Sequence, residues 1–229
     1  TDGDETAAQN VQTNLDAFVV QQKQLIASFK SPENLKLLNE QHEIIKQYQS
    51  ALVTMRKAYV ESAVSRDEMD QYSKVARDAM DLLKSRVMQS SASEQDRFEQ
   101  LETLTTVREK FLVARYQVRA YIAAQTTANE QAARQQLNEA IASLTALNTY
   151  FVASAPETLR TLDDALAHYQ HALQVYADTD KTITDMRKEM TDYGSGILNR
   201  SDALYTIQLE RRDNESASAN TIQLISTLL

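Results

Sequence analysis

The sequence has no cysteine and no tryptophan, only three glycines and two prolines, and nowhere an apolar run near the ~20 residues a membrane-spanning helix requires. Without cysteine there is neither a disulfide framework nor a thiolate metal site. Glycine and proline are too scarce for the turns of a sheet, which leaves an all-α chain of one or two domains. A basic surface is missing as well. The formal net charge is -8, with acids and bases interspersed, so a nucleic-acid stripe is not expected. No Gly-rich phosphate loop, nucleophile elbow or catalytic triad is present, and neither an enzyme nor a cofactor is expected.

What is present is helix, in unusual lengths. Thr1 to Thr6, with Gly3, reads as a frayed start. Val11, Leu15, Phe18, Val19, Leu25 and Ile26 then mark an amphipathic helix over 7–29. Ser31-Pro32 supplies an N-cap and a favourable first helical residue for the next segment. That segment runs to about Ser90 without a breaker, ~85–90 Å as one helix. Its inward stripe, Leu38, Ile45, Tyr48, Leu52, Met55, Tyr59, Ser62, Arg66, Met69, Ser73, Ala76, Met80, Leu83 and Val87, carries a polar notch at Ser62, Arg66 and Ser73. The notch reads either as a lining or as a local fray near Ser65. A turn over 89–94, capped by Ser91 or Ser93, leads into a helix of about 94–125. Thr126 to Asn129 reads as a weak break before a helix of 130–153, and a second long helix starts at Pro156. Ile222, Leu224, Ile225, Leu228 and Leu229 give the chain an apolar ending. It reads equally as the approach to a transmembrane helix and as the last turns of an amphipathic one.

The helix of 94–125 carries arginine where core residues are expected. On a wheel of about 100° per residue, Arg108, Arg115 and Arg119 fall in the arc set by Leu101, Leu104, Phe111, Leu112 and Ile122. A buried guanidinium needs an anion or several acceptors, from this chain or from a ligand.

An internal repeat organises these pieces. Ser31-Pro32-Glu33-Asn34-Leu35-Lys36-Leu37-Leu38 resembles Ala155-Pro156-Glu157-Thr158-Leu159-Arg160-Thr161-Leu162, at an offset of 124 (156 − 32). A short helix precedes each proline and a very long one follows. The second half has an additional helix, the arginine helix, before its short one. The repeat therefore calls for a counterpart before Thr1, a first helix that this sequence lacks or that a partner supplies.

Leu112-Val-Ala-Arg-Tyr-Gln-Val-Arg-Ala-Tyr121, together with two long helices over nearly the whole chain, resembles the helical bimodular sensor domain of bacterial chemoreceptors and some sensor kinases. The resemblance implies two stacked antiparallel helical bundles sharing the helices of about 32–90 and 156–229. The expected membrane-distal module is about 4–62 and 128–185, and the membrane-proximal one about 63–127 and 186–229. It also implies an extracytoplasmic domain of an inner-membrane protein, a homodimer, and a small organic acid as ligand, since the family includes receptors for malate, succinate and citrate. In such receptors the arginines of this helix and of the first helix hold the acid in the proximal bundle.

Reflecting the chain about its turns sets Arg66 level with Tyr116, and Arg115 and Arg119 near Ile197 and Tyr193. The expected ligand site is therefore Arg115, Arg119, Arg66, Tyr193, Gly194 and Gly196, with Arg108, Tyr59, Tyr150 and Tyr169 as further candidates. Arginine suits a carboxylate because its planar fork donates two parallel charge-assisted hydrogen bonds. Asp67, Asp70, Asp192 or Asp202 are the acids that would neutralise these arginines instead. His168 and His171, at i,i+3, lack the further ligands a metal needs. A sensor-kinase input domain that reads a periplasmic binding protein, and a structural helical spacer, are the competing functions.

Overall fold

The computed structural model describes residues 2–227, with side chains described for Thr6 and for 9–216. The described residues form six α-helices and no strand: α1 (Asp2–Ser28), α2 (Pro32–Gln89), α3 (Glu94–Ala123), α4 (Thr127–Ser143), α5 (Thr145–Phe151) and α6 (Pro156–Thr227). The two prolines start the two long helices, and the first turn closes alike in both, Leu35 N donating to Ser31 O and Leu159 N to Ala155 O at 3.0 Å. Ser93 caps α3 through Asp96 N. No described helix is long and apolar enough to cross a membrane. The apolar ending, Ile222 to Leu229, lies outside the described side chains.

Three elements differ from expectation. The polar start is helical from Asp2. The helix expected over 130–153 divides at Leu144, whose N–H bonds Ile141 O in a tightened turn. The presumed weak break at Thr126 is a full chain reversal. There Ala124 is extended, the Thr126 hydroxyl accepts from Asn129 N, and Asn129 Nδ2 donates to the Ala124 and Ala120 carbonyls. These bonds satisfy groups that the ends of α3 and α4 would leave open.

The chain threads both of its parts through the two long helices. It forms two compact units, one of Thr1–Lys57 with Thr182–Leu229, the other of Ala58–Lys181. The second unit holds four helical layers: α2 (58–89), α3, α4 with α5, and α6 (156–181). The α3 and α6 segments run parallel, as Phe111 with Tyr169 and Tyr121 with Tyr176 show, because α4 and α5 return the chain between them. Its core runs from Met69 to Ala177 and is almost wholly apolar. Ala76, Ala114, Ala133, Ala140 and Ala172 are fully buried, so the helices approach closely, and Phe111, Leu137, Leu147, Phe151, Leu162 and Leu166 fill the layers.

The first unit holds α1, α2 (32–57) and α6 from Thr182 onward. Leu38, Ile45, Ala51 and Leu52 are its buried apolar seam on α2, accompanied by the buried amides Gln22, Asn34 and Gln41. Gly194 and Gly196 lie on α6 of this unit. A methyl group at Gly194 would meet no atom within 4 Å, whereas one at Gly196 would come to 3.3 Å from Ile44 Cδ1. Gly194→Ala should therefore raise stability by about 1 kcal/mol. Thermal denaturation followed by circular dichroism checks this, with a smaller gain for Gly196→Ala.

Candidate functional site

The buried face of α3 is Leu104, Val107, Phe111, Ala114, Val118 and Tyr121. That face is rotated from the arc drawn through Leu112, which is 61% exposed. Of the three arginines expected inside, Arg108 and Arg119 are exposed and Arg115 is half-buried. Arg108 forms an ion pair with Asp81. Alanine and tyrosine take the core positions, and the arginines flank them.

Arg115 is nevertheless the centre of a charged cluster within the second unit. Burial lowers its pKa, and the neighbouring Arg77 and Arg119 lower it further, against smaller opposing contributions from Tyr169 and Asp70. Three guanidiniums thus face one carboxylate. Among the described residues neither Arg115 nor Arg119 has an ion pair. The local field is positive and would be relieved by an anion.

Tyr169 is the buried neighbour of Arg115 on α6. It is buried at 3% exposure, with its ring edge-on to Phe111 at 5.6 Å. Burial pushes its pKa up to about 12 despite Arg115, so the hydroxyl stays protonated and able to donate. One residue earlier on α6, His168 stacks on Tyr72 of α2 at 4.6 Å, and its Nδ1 bonds Asp164 O. Rigid aromatic groups and flexible cations are thereby brought to one level.

The other expected residues lie elsewhere. Arg66 is exposed on α2 rather than on the inward stripe, where the buried residue is Ser65, its hydroxyl donating to Glu61 O through an unbroken helix. Arg66 acts electrostatically on Tyr176, whose ring meets Tyr121, so its level is that of Tyr121 and not Tyr116. Tyr193, Gly194 and Gly196 belong to the first unit, whereas Arg66, Arg115 and Arg119 belong to the second. Arg115 lies in the second unit, where α3 runs beside residues 156–181 of α6, and Ile197 in the first. Tyr150 packs half-buried against the core of the second unit, and Tyr59 is exposed.

Of the groups that act on Arg115, Asp70 was among the acids expected to neutralise the arginines, whereas Arg77 was missed. Its signal lay in the spacing of Asp70 and Arg77, two turns apart along one face of α2. No group of three possible metal ligands occurs among the described residues.

The helical bimodular sensor domain profile matches residues 1–219. The chain is 42% identical over 227 residues to the methyl-accepting chemotaxis protein McpS of Pseudomonas putida (strain KT2440), covering 99% of this chain and 35% of that protein. It is 24% identical over 217 residues to the methyl-accepting chemotaxis protein McpQ of the same organism, covering 95% and 33%. The chain spans about a third of the length of these curated relatives. It is a chemoreceptor-type sensor domain. Specifically, it belongs to the helical bimodular sensor domain family.

Proposed function

We infer that the chain is the extracytoplasmic ligand-binding region of a transmembrane, dimeric chemoreceptor that senses a small organic acid, a di- or tricarboxylate. The observation that carries this reading is the imbalance around Arg115, with three arginines against Asp70 beside a protonated Tyr169 hydroxyl. One carboxylate oxygen pair accepts the fork of Arg115, Tyr169 donates a further bond, and Arg77 and Arg119 supply the field for a second carboxylate. Tyr193, Gly194, Gly196 and Arg66 have no part in this anion site.

In the first unit Leu15, Phe18, Met190, Ile197 and Leu204 are only half-buried. Signalling requires that the acid favour one packing of the bundle over another, since a ligand shifts an equilibrium only by its differential affinity.

Calorimetric titration with acetate, succinate, malate and citrate tests the ligand class. Saturable heat with at least one acid is expected, strongest for those with two or more carboxylates. Absence of heat with all four, in a folded chain, would overturn the carboxylate reading.

A further inference from the structure

The first unit buries amide side chains, whereas the buried polar residues of the second are the hydroxyl residues Ser65, Ser73, Thr158 and Thr179. Gln22 on α1 and Gln41 on α2 are each 2% exposed. The repeat counterpart of Gln41, at the same offset of 124 (165 − 41), is Ala165, also buried. The architecture therefore does not require an amide at that place. An apolar residue serves it elsewhere in the same chain.

The two amides form a directed chain of hydrogen bonds. Gln22 Nε2 donates to Leu38 O at 3.2 Å and to Gln41 Oε1 at 3.0 Å, and Gln22 Oε1 accepts from His42 Nδ1 at 2.9 Å. Gln41 Nε2 donates to Ile197 O at 2.9 Å and to Ser201 Oγ at 2.7 Å. Every polar atom of both side chains is used, and α1, α2 and α6 are joined in one network. Arg200 adds a second tie from α6, to Glu40 on α2 and to Gly196 O on its own helix.

We propose that this amide ladder is a register clasp, which selects one axial position of α6 against α1 and α2. The neighbouring apolar contacts discriminate positions poorly. α6 presents glycine to Ile44, and nothing lies within 4 Å of a Cβ at Gly194. The ladder discriminates sharply. A shift of α6 by one turn, ~5.4 Å, places Ile197 or Leu204 where Ser201 now accepts, so Gln41 Nε2 loses its side-chain acceptor on α6 while the bond from Gln22, which joins α1 to α2, is kept. A buried unpaired amide is penalised far more than a paired one is rewarded, and single buried amides fix register in paired helices by the same asymmetry. Asn34, seven residues earlier on the same face of α2, has neither side-chain polar atom paired. The selected register thus satisfies two amides and leaves the third unmet. The clasp stands on this geometry alone, and its use in signalling rests on the receptor reading.

The chain has no native cysteine, so introduced pairs report register cleanly. Ile44→Cys with Gly196→Cys samples the observed position, and Ile44→Cys with Asp192→Cys the position one turn away. In the otherwise unchanged chain the first pair should oxidise roughly tenfold faster, the ratio that ~1.4 kcal/mol of register preference gives. Adding Gln41→Leu should bring the two rates within about threefold while leaving the thermal midpoint equal or higher, and Gln22→Leu should do the same. An unchanged rate ratio in folded Gln41→Leu would overturn the proposal. Loss of helicity in both variants would also overturn it, because the amides would then hold the unit together rather than select its register. None of these readouts involves a ligand, so the carboxylate reading stands or falls separately.

Discussion

Arg115→Ala should abolish most of the proposed carboxylate affinity while leaving the fold intact. The substitution removes charge-assisted hydrogen bonds at a half-buried position, each worth about 1.5–3 kcal/mol, so Kd should rise roughly ten- to hundred-and-fifty-fold. Stability should change little, because the arginine contributes no ion pair among the described residues and is repelled by Arg77 and Arg119. Arg115→Lys keeps the charge but not the fork and should fall between the two. Arg108→Ala is the matched control. Its guanidinium is spent on Asp81 at the surface, and its loss should leave Kd unchanged. Titration calorimetry of the three variants, with the thermal midpoint measured on the same samples, separates lost binding from lost structure. An Arg115→Ala chain that binds as tightly as its parent would remove Arg115 from the site.

Phe111→Ala should produce the largest loss of stability of any single change in α3. Phe111 is 2% exposed, sits in the core of the second unit and supports Tyr169 edge-on. Truncating a phenylalanine of this kind costs about 3–5 kcal/mol through lost transfer energy and the cavity left behind. For a chain of this size the midpoint should drop by roughly 6–20 °C. Binding should weaken as well, since Tyr169 loses the wall that fixes its ring. A midpoint within about 2 °C of the parent would contradict the assignment of Phe111 to the core.

The architecture was largely legible in the sequence, and the residues that made it so are few. Pro32 and Pro156 mark where the two long helices begin, and the breaker-free runs after them give their lengths. The family could be read from the arginine-tyrosine helix set in that layout. What escaped was the reversal between α3 and α4. Ala124 to Asn129 contains neither glycine nor proline, and the turn is made by side-chain bonds of Thr126 and Asn129 that composition does not reveal. Missing it moved α4 away from α3 and hid the neighbourhood of Arg115 and Tyr169.

The face of α3 was misjudged for a related reason. Its core side includes Ala114, which carries little hydrophobic signal, and Tyr121, whereas Leu112 and Val113 point outward. Large apolar residues alone therefore drew the stripe off centre. The opposite bias hid the ladder of the first unit. Gln22 and Gln41 read as surface residues by type, and only coordinates show that each amide meets partners from another helix.

The most direct measurement is a crystal structure of the chain grown with succinate or malate. The account predicts density for one carboxylate within hydrogen-bonding distance of the Arg115 guanidinium and the Tyr169 hydroxyl, with Arg77 or Arg119 turned toward it. A bound acid whose carboxylates touch neither Arg115 nor Tyr169 would contradict it.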